Sequence, residues 1–277
     1  MPSGTWPSSG GSRADGVENA VRTVPTGNCA RFAATPLEDG GTPTWAWLAD
    51  REKKPLPSLD LTGCAGLVVV APHPDDETLG LGATAAHLAA SGVEVQVVSV
   101  SDGGAAQLGA SPVDRTRMEA TRRGELLRAT GILGVHPATS LGLPDGQLAD
   151  HEERLTDLLV AILEDVAPGT WCAATWRGDG HPDHETIGRA AATACERTGV
   201  TLVEYPVWMW HWASPADPAV PWDRAYSVPV TNRAVNRKFF AAQCFQSQFE
   251  PGDDGSAPVL PGFVLRRLLG VGEVVFR

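Results

Sequence analysis

No uninterrupted apolar run reaches the roughly 18 residues needed to cross a bilayer, so nothing in the chain reads as a membrane span. A stripe of Lys and Arg is missing too. The 22 basic residues, set among 33 acidic ones for a net charge of −11, are nowhere concentrated, which argues against a nucleic-acid surface, and the acidity itself reads as solubility. Cysteine is scarce and unpatterned: Cys29, Cys64, Cys172, Cys195 and Cys244 are odd in number and include no C-x-x-C pair. That excludes a disulfide framework and a thiolate zinc site, and it fits a reducing cytoplasm. The opening residues, MPSGTWPSSGGSRADG, have no apolar stretch behind a positive segment and do not read as a secretory signal. No internal repeat is visible.

What is present is a chain of 277 residues, 43% hydrophobic, long enough for one sizeable core. Residues 1–40 are rich in Ser, Gly and Pro at their start and are expected to form a disordered or loosely attached extension to a domain over 41–277. Within the domain, GTPTWAWLADREKK predicts a short helix anchored by Trp45 and Trp47. Apolar strand-like runs fall near 66–71, 95–100, 138–142, 171–175 and 202–207. Helical patterns separate them near 77–91, 114–130, 150–165 and 184–198, with another near 232–247 and strand-like AYSVPV and GEVVFR towards the end. This alternation predicts an α/β fold, a Rossmann-like and mostly parallel sheet with helices on both faces.

The first strand ends abruptly in chemistry. In LVVVAPHPDDETLG the aliphatic run stops at Pro72, and a histidine, two aspartates and a glutamate follow at once. His73 and Asp76 are three apart on a turn into a helix, so both side chains can converge. A second cluster, GDGHPDHETIG, follows the fourth strand with the same grammar, His181 and His184 three apart around Asp183. Both clusters belong at the carboxyl ends of parallel strands, where open sheets bind ligands. One HPDD alone is explained as a helix start capped by Asp75 or Asp76. Two clusters at matching strand ends are better explained by a divalent cation that offsets the crowded carboxylates. Imidazole and carboxylate donors without thiolate suit Zn2+, and three protein ligands leave a fourth place for water.

The chain resembles the PIG-L (LmbE-like) family of zinc-dependent N-deacetylases. The resemblance rests on APHPDDETLG and GHPDH, and extends to Arg122-x-x-Glu125, LGLPDG, Lys238 and Ser247-Gln248. It implies an LmbE-like fold and hydrolysis of the N-acetyl group of an amino sugar, giving a free amine and acetate. It implies His73, Asp76 and His184 as ligands to one zinc per chain, with Fe2+ as another candidate. Asp75 becomes the general base, and His181, protonated and oriented by Asp183, the acid or oxyanion-stabilising group. Arg122 and Asp145 become the sugar contacts. The partner implied is a small N-acetylated sugar or glycoconjugate, with no nucleic acid. The chain departs from the family where some members carry a tyrosine, here Asp179, and where a histidine often precedes Ser-Gln, here Phe245.

Rival functions are a sugar-binding protein that has kept its metal and lost turnover, and an amidase of a related thiol or amide conjugate. Gly80-x-Gly82-x-x-Ala85 imitates a dinucleotide fingerprint. Pro72 and Pro74 at the strand end lack the N–H groups that cradle pyrophosphate, so these glycines are expected to serve helix–sheet packing. The segment YPVWMWHWA offers Trp208, Trp210 and Trp212 either as packing or as an aromatic wall for substrate.

Overall fold

The computed structural model describes residues 27–106, 109–251, 255 and 257–277. The Ser/Gly-rich start of the chain, for which disorder was expected, therefore lies almost wholly outside the described residues.

In chain order the elements are α1 (Gly27–Ala33), α2 (Thr44–Lys53), β1 (Gly66–Ala71), α3 (Asp76–Ala90), β2 (Glu94–Ser99), α4 (Pro112–Leu133), β3 (Thr139–Ser140) and α5 (Glu152–Glu164). There follow β4 (Thr170–Thr175), α6 (Pro182–Thr198), β5 (Thr201–Tyr205), α7 (Met209–Trp212), β6 (Ala225–Ser227), α8 (Asn232–Ala242), α9 (Gln246–Phe249), α10 (Gly262–Gly270) and β7 (Val274–Phe276). The sheet runs β3-β2-β1-β4-β5-β7-β6. Its first five strands are parallel, while β7 lies antiparallel to both β5 and β6.

Strand β1 shows why the sheet is covered on both faces. Its six residues are all buried, and successive side chains point to opposite sides. Leu67 and Val69 enter a core shared with α3, α7 and α10, whereas Val68 and Val70 enter one shared with α5 and α6. The order reverses between β1 and β4, whose neighbours lie on opposite sides, and this opens a crevice beyond their carboxyl ends.

Helix α4 starts as its sequence directs, with Ser111 accepting from the Asp114 N–H, Pro112 in the first turn, and Gly134 left-handed at the end. Helix α3 is less regular. Gly80 lies against the Tyr205 ring, where an added Cβ would sit 2.3 Å from a ring carbon, so close packing on β5 requires the missing side chain. Just beyond, Leu81 leaves helical geometry at φ −138°. The kink is answered by a carboxylate from the far end of the chain. Glu273 accepts from the Ala83 N–H at 2.8 Å, from the Thr84 N–H at 2.7 Å and from the Thr84 hydroxyl, and it pairs with Lys238 Nζ at 2.8 Å. Lys238, part of the family resemblance, is thus a buried structural cation.

Two expectations need correction. Trp47 is buried against Trp210, but Trp45 is 72% exposed and anchors nothing, because it points off the outer face of α2. The helix expected over 232–247 is two, α8 and α9, separated at Gln243–Phe245. Phe245 is fully buried among α4 and α8, so the chain turns to place it.

Replacing Glu273 by Ala leaves Lys238 buried without a partner and two kinked-helix N–H groups unanswered. We expect Glu273→Ala to lower unfolding free energy by roughly 3–5 kcal/mol in chemical denaturation. A change under about 1 kcal/mol would show that water replaces the carboxylate.

Candidate active site

The chain leaves β1 at Ala71, and three turns of geometry then gather its acids. Asp75 takes φ 134°, one of only two non-glycine residues with positive φ among the described residues. Such strain persists only where surrounding contacts hold it, and is commonest at functional sites. Here the Asp75 N–H donates to Glu77 Oε2 at 3.0 Å, and Arg122 donates to the Pro74 carbonyl at 2.7 Å and lies 3.3 Å from Asp75 Oδ1. Asp75 stands where a helix cap would, but its side chain caps nothing. The simple capping account of HPDD therefore fails.

Asp76 opens α3 and turns its Oδ2 to 3.1 Å from His73 Nδ1 and 3.3 Å from His184 Nε2. His184 enters from α6 and is wholly buried. Its Nδ1–H donates to Asp179 Oδ2 at 2.9 Å, which leaves Nε2 as the free ligand atom. That Nε2 has no hydrogen-bond partner, a rare condition for a buried polar atom. His73 Nε2 lies 3.0 Å from Asp145 Oδ1 and 3.3 Å from Asp183 Oδ2, so these carboxylates orient the ring and turn Nδ1 towards Asp76.

Two groups of three could hold a cation on distance alone: His73, Asp76 and His184, or His73, Asp145 and Asp183. The second is already engaged. Asp145 Oδ2 accepts from the Ala105 N–H at 2.7 Å, and Asp183 accepts from the Gly146 N–H at 2.8 Å and the Leu148 N–H at 3.2 Å. The first contains the unpartnered imidazole nitrogen, and its two imidazoles and one carboxylate fit a borderline divalent metal.

Electrostatics lead to the same place. Burial pushes the Asp75 carboxyl up to about 8, against the pull of Arg122. Burial also acts to raise Asp76, but the His184 and His73 imidazoles beside it hold it well below the usual carboxylate range. Burial opposes charge on His184 and His73 as well. Even so, Asp76 and Asp179 lift His184 to about 9, and Asp145, Asp183 and Asp76 lift His73 well above the ordinary histidine range. The pocket demands positive charge, which a divalent cation supplies while its ligands bind through neutral nitrogens.

His181 occupies the N-cap position of α6, and its Nδ1 accepts the Asp183 N–H at 3.2 Å. An accepting Nδ1 places the ring proton on Nε2. Burial, with the neighbouring His184 and His73, pushes its pKa down to about 3. Asp183 orients it through its backbone N–H. The Asp183 carboxylate faces His73 instead, because the loop at Gly146–Leu148 claims both its oxygens.

Arg122 and Asp145, expected at the sugar, both line the cavity of about 330 Å3 that opens onto the group. Their hydrogen bonds also hold the Asp75 turn and the His73 ring. Of the three tryptophans, only Trp208 lines the cavity. Trp210 is buried on Trp47, and the Trp212 N–H donates to the Asp179 carbonyl at 2.7 Å.

Sequence reasoning missed two contributors. Asp179 registered only as a departure from a family tyrosine, yet it is fully buried, holds His184, and accepts from the N–H groups of Val207, Trp208 and Met209. Its signal was its place five residues before His184, within reach of the same ring. Residues 27–39 were set apart with the extension, yet Phe32 of α1 packs 5.0 Å from Trp208 and 6.1 Å from His181. Arg31 pairs with Asp217, and the Asn28 side chain donates to the Gly178 carbonyl at 2.8 Å.

Residues 68–195 match the family model described as PIG-L: GlcNAc-PI de-N-acetylase, a span that contains every His and Asp of the two clusters. The chain is 35% identical to 1D-myo-inositol 2-acetamido-2-deoxy-alpha-D-glucopyranoside deacetylase of Mycobacterium sp. (strain KMS), across 47% of this chain and 50% of that protein. It thus spans about half the length of the curated relatives it matches first. Among solved structures, a conserved protein of Thermus thermophilus superposes with a TM-score of 0.52 at 27% identity, covering 73% of this chain and 84% of that one. N,N'-diacetylchitobiose deacetylase of Pyrococcus horikoshii shares the fold, with a TM-score of 0.50 at 22% identity over 71% of this chain and 76% of that one.

Asp179→Asn removes the charge that holds the His184 ring while keeping its volume. We expect divalent-metal affinity to fall about 10–100-fold in a competition titration with a chelating dye. Unchanged affinity would detach Asp179 from the metal group.

Proposed function

We propose that this chain, which carries a PIG-L (LmbE-like) family domain, is a metal-dependent hydrolase that removes the N-acetyl group from an amino sugar. The observation that carries this reading is the His73–Asp76–His184 group, with an unpartnered His184 Nε2 turned into it beside the strained Asp75. The relative from Mycobacterium bears the name of an acetamido-sugar deacetylase, which supports the same reaction class.

Bound at this group, a divalent metal (zinc on the donor set, with Fe2+ as the other candidate) would polarise the amide carbonyl and lower the pKa of a water to about 7. Asp75, buried beside this group and 3.3 Å from Arg122, is the carboxylate placed to take and return a proton. It accepts the proton of the attacking water as the new C–O bond forms on the amide carbon. His181, neutral and carrying its proton on Nε2, donates a hydrogen bond to the developing oxyanion. Asp75 then returns its proton to the nitrogen as the C–N bond breaks, and amine and acetate leave. Arg122 and Asp145 face the cavity as the polar wall for sugar hydroxyls while holding Asp75 and His73 in place. We assign the reaction to the cytoplasm, where the five unpaired cysteines stay reduced. No described helix is long and apolar enough to cross a membrane.

Amine release from methyl N-acetylglucosaminide by zinc-loaded protein tests the reading. Asp75→Asn should retain metal while turnover falls about 10²–10⁴-fold. Metal retention with full turnover would remove Asp75 as the base, and loss of metal would make it a ligand. The two histidines of HPDH should separate. His184→Ala loses metal, whereas His181→Ala keeps it and turns over slowly. Equal metal loss in both would mean a closed four-ligand site of the structural kind.

A further inference from the structure

The crevice is chemically divided across the switch point. On the β2–β3 side it is polar: Arg122 of α4, Asp145 and Gly146 after β3, and the Ala105 backbone after β2. On the β5–β7 side it is mostly apolar, with aliphatic side chains beside Trp208 and Phe32 and with Gln248 as a polar member. Leu79, Val207, Val264 and Leu268 line it while being no more than 4% exposed, and they belong to the main core. Leu260 and the half-buried Val259 extend this wall. The group of His73, Asp76 and His184 lies between the two sides, at the ends of β1 and β4.

The apolar wall begins at the reacting centre. The Leu79 N–H donates to the Asp75 carbonyl, one helical turn away. The Val207 N–H donates to Asp179, the same carboxylate that holds His184. A planar trans amide carries its nitrogen substituent and its acyl chain at opposite ends. With the sugar against the polar side and the carbonyl at the metal group, the acyl chain points into the apolar side. An acetyl group needs cover for one methyl, whereas this wall offers at least six aliphatic side chains.

We propose that the site takes amino sugars whose N-acyl chain is longer than acetyl, a linear aliphatic acyl group of about four to eight carbons. This rests on the N-deacetylation reading above and extends its substrate class. The reaction is unchanged: water adds to the acyl carbon, the C–N bond breaks, and a short fatty acid leaves in place of acetate.

The test is a series of methyl glycosides of glucosamine carrying N-acetyl, N-butanoyl and N-hexanoyl groups, assayed for amine release with the zinc-loaded protein. Each buried methylene is worth about a four-fold gain, so kcat/KM should rise about 15-fold from acetyl to butanoyl. Calorimetric titration of Asp75→Asn protein with the same glycosides reads the wall without turnover, and butanoyl should again bind about 15-fold tighter. Val259→Trp, which fills the half-buried end of the wall, should collapse the butanoyl-to-acetyl ratio. Hydrolysis of the acetyl compound with a flat or falling series overturns the acyl recess and leaves the deacetylase reading standing. A gain seen only when octyl replaces methyl as the aglycone of the N-acetyl compound gives the wall to the aglycone and overturns the proposal. No amine release from any of the glycosides overturns the underlying reading, and the acyl proposal with it.

Discussion

Six carboxylates, those of Asp75, Asp76, Glu77, Asp145, Asp179 and Asp183, crowd the space beyond β1 and β4, and all are largely removed from water. So much buried negative charge is tolerable only if every oxygen finds a donor or a cation. Backbone N–H groups answer most of them: three on Asp179, two on Asp183, one each on Asp145 and Glu77. Arg122 answers Asp75. What remains is the triangle of His73, Asp76 and His184, where the His73 N–H and two imidazoles face Asp76 and the buried His184 Nε2 has no hydrogen-bond partner. In the proposed reading a divalent cation would engage that nitrogen and the Asp76 carboxylate.

The fold exists to hold that triangle at the switch point. Parallel strands bring both His–Asp clusters to one rim, and the residues that tune them arrive from loops on either side. Packing on the interior side is correspondingly tight. Gly80 lets α3 meet Tyr205, and the resulting irregularity at Leu81 is stabilised by Glu273, which reaches back from the end of α10. Terminal segments therefore brace the helix that carries Asp76. At the mouth, α1 adds Phe32 beside Trp208 and His181, so a segment close to the Ser/Gly-rich start of the chain shapes access to the cavity.

Much of this was legible in the chain. The apolar runs and helical patterns located the principal strands and helices to within a few residues, because β1 and β4 are buried on both faces and their apolar runs have sharp ends. The His–Asp spacing pointed to a metal because two histidines three residues from a partner are hard to explain otherwise. Roles that depend on which atom faces which neighbour were not legible. Asp183 was assigned to His181 by proximity in sequence, but its carboxylate is claimed by a loop about 35 residues away. Asp179 looked like an absence of tyrosine because its partners are backbone groups after β5, which carry no sequence signature. The downward push on the His181 pKa comes from burial beside two other imidazoles, a property of the assembled site alone.

The central claim is that a single divalent cation, held by His73, Asp76 and His184, makes this crevice a hydrolase. It is tested most directly by stripping the protein with chelator and titrating zinc back while following amine release from an N-acylated glucosamine glycoside. The account predicts no release from the stripped protein and a linear rise that breaks at about one equivalent per chain. Full activity in the stripped protein, or a rise continuing to a second equivalent, would contradict it.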